Sequence, residues 1–279
     1  MPATRSLLFA PANRPDLYPK LDSSGADIAC LDLEDAVPPS DKEDARAMAL
    51  PWIAAAASGP RRALRLNPLS TRAGLSDLHA VSGAAHDDAL IVLPKVDDPA
   101  EMRLAAAAFA ETGKATRLVA LIESLRGLQQ VDDIASASDR TEFLLFGAVD
   151  LTAELGADLA HEPLLYARSR IVLAARSAGI GAMDVPCLDF RNRDAVEKEA
   201  HAARRLGFSG KAAIHPSNLE TINAAFTPGE AEIARARTVI AAYEASDTGL
   251  VVIDGKLIEK PVIRSMARIL EAARAAGVA

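Results

Sequence analysis

The stretch RLVALIESLRGLQQVDDIASASDRTEFLLFGAVD, residues 117–150, decides how the rest of the chain is read. Two short apolar runs, RLVALIE from Arg117 and EFLLFGAVD from Glu142, stand on either side of a segment long enough to cross back over a sheet. Each run is apolar on both faces, as a strand buried beneath helices must be. Each also ends on a carboxylate, Glu123 and Asp150.

The same unit recurs along the chain. Further runs begin at Arg5 (RSLLFAP), Asp27 (DIACLDLEDAV), Arg62 (RALRLNP), Ala89 (ALIVLPK), Gly181 (GAMDVPCLD) and Gly210 (GKAAIHP), which makes eight with starts 22 to 39 residues apart. Between them lie segments with helical apolar spacing, such as PAEMRLAAAAFAETG and DAVEKEAHAARRLGF, the second ending at Gly207 as a helix C-cap would. Strands alternating with helices imply parallel pairing and right-handed crossovers. Eight units predict a closed (β/α)8 TIM barrel over residues 1–226. An open doubly wound sheet would carry a Gly-rich phosphate loop after its first strand, and FAPANRPDLY has none.

Residues 227–279 form an extension. TPGEAEIARARTVIAAYEA reads as a capped helix, GLVVIDGKLIEKPV as a β-hairpin turning at Asp254-Gly255, and VIRSMARILEAARAA as a last amphipathic helix. The expected role of this extension is a lid packed on a neighbouring subunit.

Composition limits the function classes. The 279 residues carry a formal net charge of -7 and scattered Lys and Arg, which argues against a nucleic-acid partner, since that needs a clustered basic face. No run approaches the roughly 20 apolar residues of a membrane span. The two cysteines, Cys30 and Cys187, have neither a CxxC partner nor a nearby His and read as buried free thiols. A cytoplasmic protein is expected.

In a barrel of this kind the active site forms at the C-terminal ends of the strands. Read to their ends, the runs deliver Asn13 and Arg14, Glu34 and Asp35, Arg65 and Asn67, Lys95, Glu123, Asp150, Asp184 and His215. Glu123 and Asp150 end consecutive strands, and two carboxylates side by side in a low-dielectric mouth repel unless a cation or proton lies between them. Oxygen ligands in small number favour Mg2+. The alternative is that Asp150 caps the following helix and Glu123 pairs with Arg126. Arg65 can hold a carboxylate or a developing oxyanion in its rigid fork, or form a salt bridge to Glu34 or Asp35. Lys95 is a candidate Schiff-base lysine, although a metal pair would make a second electron sink redundant and leave it an electrostatic, substrate-binding role. His215 is open between a ligand contact and a structural hydrogen bond.

The ordered series RSLLFAPANRPD, LDLEDAVPPSDKEDAR, LRLNP, VLPKVD, LIESLRGL, FGAVDLTAELG and GFSGKAAIHPSN, followed by the tail hairpin, resembles CitE-like members of the HpcH/HpaI aldolase and citrate lyase β-subunit superfamily. The resemblance covers nearly the whole chain. It implies a homotrimer or hexamer that binds Mg2+ and a 2-oxoacid and breaks or makes a carbon–carbon bond beside a CoA thioester. It places the metal ligands on Glu123 and Asp150 and the substrate-binding arginine on Arg65. Glu34 and Asp35 fall where the family holds metal-bound water and orients that arginine. Asn67 and Lys95 are taken as further substrate contacts, and Arg14 and Lys20 as contacts for the anionic CoA tail. CoA-dependent relatives carry an Asp in a tail motif like GxMxDxP, contributed across a subunit interface. Here the motif is GKLIEKP, with Glu259 one methylene longer at that position. The expected activity is lysis of a 3-hydroxyacyl-CoA of the citramalyl-, citryl- or malyl-CoA type. The alternatives are a class II aldolase acting on free 4-hydroxy-2-oxoacids and a non-catalytic binding relative. The aldolase branch relies on an early His, whereas the first His here is His79.

Overall fold

A computed structural model describes residues 4–246, 251–253 and 255–279. Eight strands, β1 (Ser6–Pro11), β2 (Ile28–Asp32), β3 (Arg61–Arg65), β4 (Leu90–Leu93), β5 (Arg117–Ile122), β6 (Thr141–Phe146), β7 (Gly181–Asp184) and β8 (Gly210–Ala213), pair in parallel and in chain order. β8 closes on β1, with Leu7 opposite Ala212. The barrel expected from the eight runs is the one that forms.

Ten helices follow the barrel round. They are α1 (Tyr18–Asp22), α2 (Lys42–Ala54), α3 (Arg72–Ala84), α4 (Pro99–Glu111), α5 (Leu125–Gln129), α6 (Val131–Ala135), α7 (Ala148–Leu155), α8 (Leu165–Ser177), α9 (Arg193–Leu206) and α10 (Leu219–Phe226). Local sequence sets their ends. Asp98 caps α4 and forms a capping box with Glu101, while α9 starts on the Asn192 side chain. α9 stops at Gly207, whose φ of 104° a side chain would resist.

Strand alternation divides the core in two. Residues such as Cys30, Ala63, Val92, Leu121, Leu145 and Met183 form one buried cluster that fills the barrel. Their sequence neighbours join a larger cluster between strands and helices, with Leu31, Leu64 and Ile91 fully buried. Both faces of each strand are therefore dry. Cys30 and Cys187 are buried free thiols, and burial pushes the Cys187 thiol up to about 11.

Beyond α10 come α11 (Glu230–Glu244), an antiparallel hairpin of β9 (Val251–Ile253) and β10 (Lys256–Ile258), and α12 (Lys260–Ala275). Of the expected turn pair, Gly255 has φ 71°, and Asp254 lies outside the described residues. α12 packs along α11, and its last turns, at Glu271 and Ala275, line a cavity of ≈ 1240 Å³ at the N-terminal end of the barrel. Among the described residues no helix is long and apolar enough to cross a membrane.

Candidate functional site

The period of two that fills the barrel also aims its top layer. On β2, Ile28 and Cys30 face the interior, so Asp32 does too, and on β3 Ala63 brings Arg65 inward. On β5, Val119 and Leu121 put Glu123 inside, and on β6, Phe143 and Leu145 put Gly147 there. An arginine and two carboxylates thus close the barrel at its C-terminal mouth.

Asp32 and Arg65 are register partners across β2 and β3. Arg65 Nε and Nη2 donate to Asp32 Oδ1 and Oδ2 at 2.7 and 2.6 Å, a parallel fork that fixes the guanidinium plane. Asp32 also accepts from the backbone N–H groups of Glu34 and Ala36, at 2.9 and 3.1 Å. The third arginine nitrogen, Nη1, lies 3.1 Å from Glu34 Oε2 and 3.8 Å from Asp35 Oδ2. One flank of the guanidinium rests on the Phe9 ring at 5.1 Å. Burial opposes the Arg65 charge, but hydrogen bonding and attraction to Asp32, aided by Glu34 and Asp35, hold its pKa above the ordinary guanidinium value.

Glu123 is only 6% exposed and accepts the Lys95 N–H at 2.8 Å. Its carboxylate leans over Gly147. A Cβ at Gly147 would come within 2.4 Å of Glu123 Cβ and 2.6 Å of Oε2, so only glycine lets the carboxylate reach the mouth. Burial, then the charge of Glu34, pushes Glu123 up to about 8. Asp150 stands in the first turn of α7, partly open to solvent. The Lys95 ammonium lies 2.9 Å from Glu34 Oε1, 3.4 Å from Asp150 Oδ2 and 3.7 Å from Asp35 Oδ1.

Asp32, Asp35, Arg65, Glu123 and Asp150 border a cavity of ≈ 520 Å³ whose floor is Arg65 and Glu123 and whose walls include Phe9, Leu145, Val185 and Ile214. Five carboxylates, Asp32, Glu34, Asp35, Glu123 and Asp150, meet two cations, Arg65 and Lys95. The surplus is negative, and a small hard cation fits the donor set in three respects. The donors are carboxylate oxygens. Both Glu34 oxygens are buried without an aligned hydrogen-bond donor, their contacts to Arg65 and Lys95 being ion pairs. The glycine at 147 clears the space above Glu123. As a pair, Glu123 and Asp150 would leave positions for water and substrate oxygen.

The other strand-end residues lie elsewhere. Asn67 is turned behind the rim, where its N–H and Nδ2 donate to buried Asp77 at 2.9 and 2.7 Å and its Oδ1 accepts from Lys42. It holds β3 to α3 and α2 and does not border the mouth cavity, contrary to its expected contact with substrate. Asp184 points outward to Arg168 and fully buried Lys211, at 3.0 and 2.9 Å. His215 is exposed and bonds Ser217. Asn13 reaches Asp41. Arg14 is exposed and paired with Asp16, and Lys20 is exposed on α1. Arg126 pairs with Asp98, not Glu123, and Asp150 makes no capping bond to α7. Glu259 is exposed at the N-terminus of α12, with no side-chain capping bond, and does not border the mouth cavity of its own chain. Asp32 is the site residue that reading each run to its end passed over. The signal was alternation, since inward-facing Cys30 fixes inward-facing Asp32.

Fold and site together define a (β/α)8 barrel whose mouth is built of carboxylates around one clamped arginine. The chain belongs to the HpcH/HpaI aldolase/citrate lyase family, whose model matches residues 5–216, and within it the chain is CitE-like. It is 33% identical to a citrate lyase subunit beta of Leuconostoc mesenteroides subsp. cremoris, over 97% of this chain and 93% of that one. It is also 33% identical to an L-malyl-CoA/beta-methylmalyl-CoA lyase of Rhodobacter capsulatus, over 98% and 96% respectively. Among solved structures, CitE from Mycobacterium tuberculosis in complex with magnesium, acetoacetate and coenzyme A superposes with a TM-score of 0.81 at 30% identity, covering 98% of each chain.

Proposed function

We propose that the chain cleaves the bond between the second and third carbons of a 3-hydroxyacyl-CoA thioester, of citramalyl-, citryl- or malyl-CoA type. The products are acetyl-CoA and a 2-oxoacid, and the same site would run the reverse condensation. The observation that carries the reading is Arg65 locked in the fork of Asp32 on the floor of the mouth, beside a buried Glu123 with no salt-bridge partner among the described residues. The relatives support it: one is a lyase of malyl-CoA esters, and the solved CitE complex contains magnesium, a ketoacid and coenzyme A.

Mg2+ held by Glu123 and Asp150 would supply a Lewis acid for the carboxylate and hydroxyl oxygens of the oxoacid half. The remaining steps fall to the chain's own groups. The hydroxyl proton passes to a carboxylate of the mouth acting as base, the carbon–carbon bond breaks, the oxygen closes to the carbonyl of the oxoacid, and the electron pair of the broken bond passes into the thioester as an enolate. Arg65 stabilises the negative charge that moves onto oxygen, and Asp32, with Glu34 and Asp35, keeps its plane from following the substrate. Lys95 adds a positive charge at the rim for the anionic substrate. A proton must then reach the enolate carbon. Glu259, exposed at the N-cap of α12 and absent from the lining of its own chain's mouth cavity, is assigned this role from a neighbouring subunit of a trimer or hexamer, with the extension as lid. Arg14 and Lys20, exposed after β1, are assigned to the phosphates of the CoA tail.

The test is a panel of 3-hydroxyacyl-CoA esters assayed for acetyl-CoA release with Mg2+ and with EDTA. Release with Mg2+ that EDTA abolishes is expected. Cleavage of free 4-hydroxy-2-oxoacids alone would instead make the chain a class II aldolase, and oxoacid binding without turnover of any thioester would make it a binding protein.

A further inference from the structure

Lys95 combines two features that its expected electrostatic role does not explain. Its φ of 50° is the only non-glycine value in the left-handed region among the described residues. Such a backbone is uphill for a residue with a Cβ and persists where the surroundings demand it. What the backbone achieves here is visible on both sides of the residue. The Lys95 N–H points to Glu123 Oε1 at 2.8 Å, while the ammonium stands 3.4 Å from Asp150 Oδ2 and 2.9 Å from Glu34 Oε1. A single strained residue therefore grips both carboxylates assigned to the cation, one by an amide and the other by a full charge.

The two grips have different consequences. The amide orients Glu123 and adds no net charge to the mouth. The ammonium neutralises part of the surplus negative charge and shares Asp150 with whatever cation binds there. It is also held by Glu34, which has no other cation than Arg65 within salt-bridge distance among the described residues. Resting on the cation reading above, we propose that Lys95 is the built-in counter-ion of the mouth: its ammonium competes with the divalent cation at Asp150 and keeps cation binding weak. The deficit is made up when a substrate carboxylate enters and restores negative charge. Cation and anionic substrate then bind with positive coupling, and the site does not sequester the metal between turnovers.

The test is titration calorimetry of the full-length protein with Mg2+ alone, in the wild type and in Lys95→Met, Lys95→Gln and Lys95→Arg. Removing a like charge next to the ligand is expected to tighten Mg2+ binding on the order of tenfold in Lys95→Met and Lys95→Gln. Lys95→Arg, which keeps the charge, is expected to stay within about threefold of wild type. Having two neutral variants keeps the comparison available should one of them fail to fold, as circular dichroism will reveal. In the Lys95→Met background, Glu123→Gln must abolish the gain, which excludes loose attraction to an acidic surface. Unchanged or weaker Mg2+ affinity in the neutral variants, with wild-type binding intact, overturns the counter-ion role alone. No Mg2+ binding by the wild type or by either neutral variant overturns both this role and the cation reading.

Discussion

The two ends of the barrel hold comparable numbers of charged groups arranged on opposite rules. At the N-terminal end every carboxylate of the ion pairs has at least one arginine: Asp27 has Arg5 at 2.7 Å, Asp22 has Arg62 at 2.8 Å, and Glu142 has Arg61 at 2.5 Å and Arg117 at 3.7 Å. At the mouth, two cations face five carboxylates, and burial and the charge of Glu34 outweigh what Arg65 and the Lys95 N–H offer Glu123. The N-terminal end has the larger cavity, ≈ 1240 Å³ against ≈ 520 Å³. Size is thus a poor guide to function in this fold. An unbalanced set of charges on a dry floor costs stability, and a barrel that retains one at its mouth has a use for it.

The sharpest way to break this comparison is at Arg65. Arg65→Ala is expected to lower kcat/KM for the active thioester about 10³-fold, as loss of an oxyanion donor does, with steady-state kinetics as the measurement. Arg65→Lys should recover little, because a point charge cannot occupy the Asp32 fork. Next comes Glu259→Ala, for which a fall in kcat of about 10²-fold with little change in KM is expected. Mixing Glu259→Ala with Arg65→Ala protein should restore part of the activity if the acid crosses a subunit interface. Persistent inactivity of the mixture, with both variants folded and co-assembled, would place Glu259 within its own chain's chemistry or outside the chemistry altogether.

The matched end should respond in the other currency. Arg61→Ala leaves Glu142 with only the longer contact to Arg117, at 3.7 Å, and is expected to cost about 1 to 2 kcal/mol in urea unfolding, with kcat/KM unchanged. A loss of activity without loss of stability would mean that the N-terminal end is not merely structural. The smallest effect lies in pH. The Glu123 carboxyl rises from the ordinary 4.5 to about 8, so the folded state holds its proton more tightly than the unfolded chain does. That contribution to stability is complete below pH 4.5 and is lost as pH rises through about 8. In EDTA the thermal midpoint should therefore drift down across this window by a few degrees relative to Glu123→Gln, and Mg2+ should remove the drift.

Most of the fold was legible because its signals are local. Doubly apolar runs, the Asp98 capping box and the Gly207 stop each announce themselves within a few residues. The site was legible in part. Arg65 ends β3, Glu123 follows β5 and Asp150 stands in the first turn of α7 after β6, so each could be read off from the run before it. Asp32 required the phase of β2 to be carried two residues on from Cys30, to where a buried aspartate demands a cation. Asn67 failed for the opposite reason. Its position at a strand end was read correctly, but buried Asp77 on α3 turns it away, and no local pattern reports a partner ten residues on. The left-handed backbone of Lys95 is equally silent in sequence, since lysine carries no preference for it.

Gly147 shows how much of the mouth is written in what the chain leaves out. It has no atom that can bind, donate or accept through a side chain, and an inventory of reactive groups would pass over it. Yet a single methyl there would occupy the place of the Glu123 carboxylate. Gly147 is in effect the mould against which the acid is cast. Any descendant of this sequence that replaces it must rebuild the position of Glu123, however faithfully every charged residue around it is preserved.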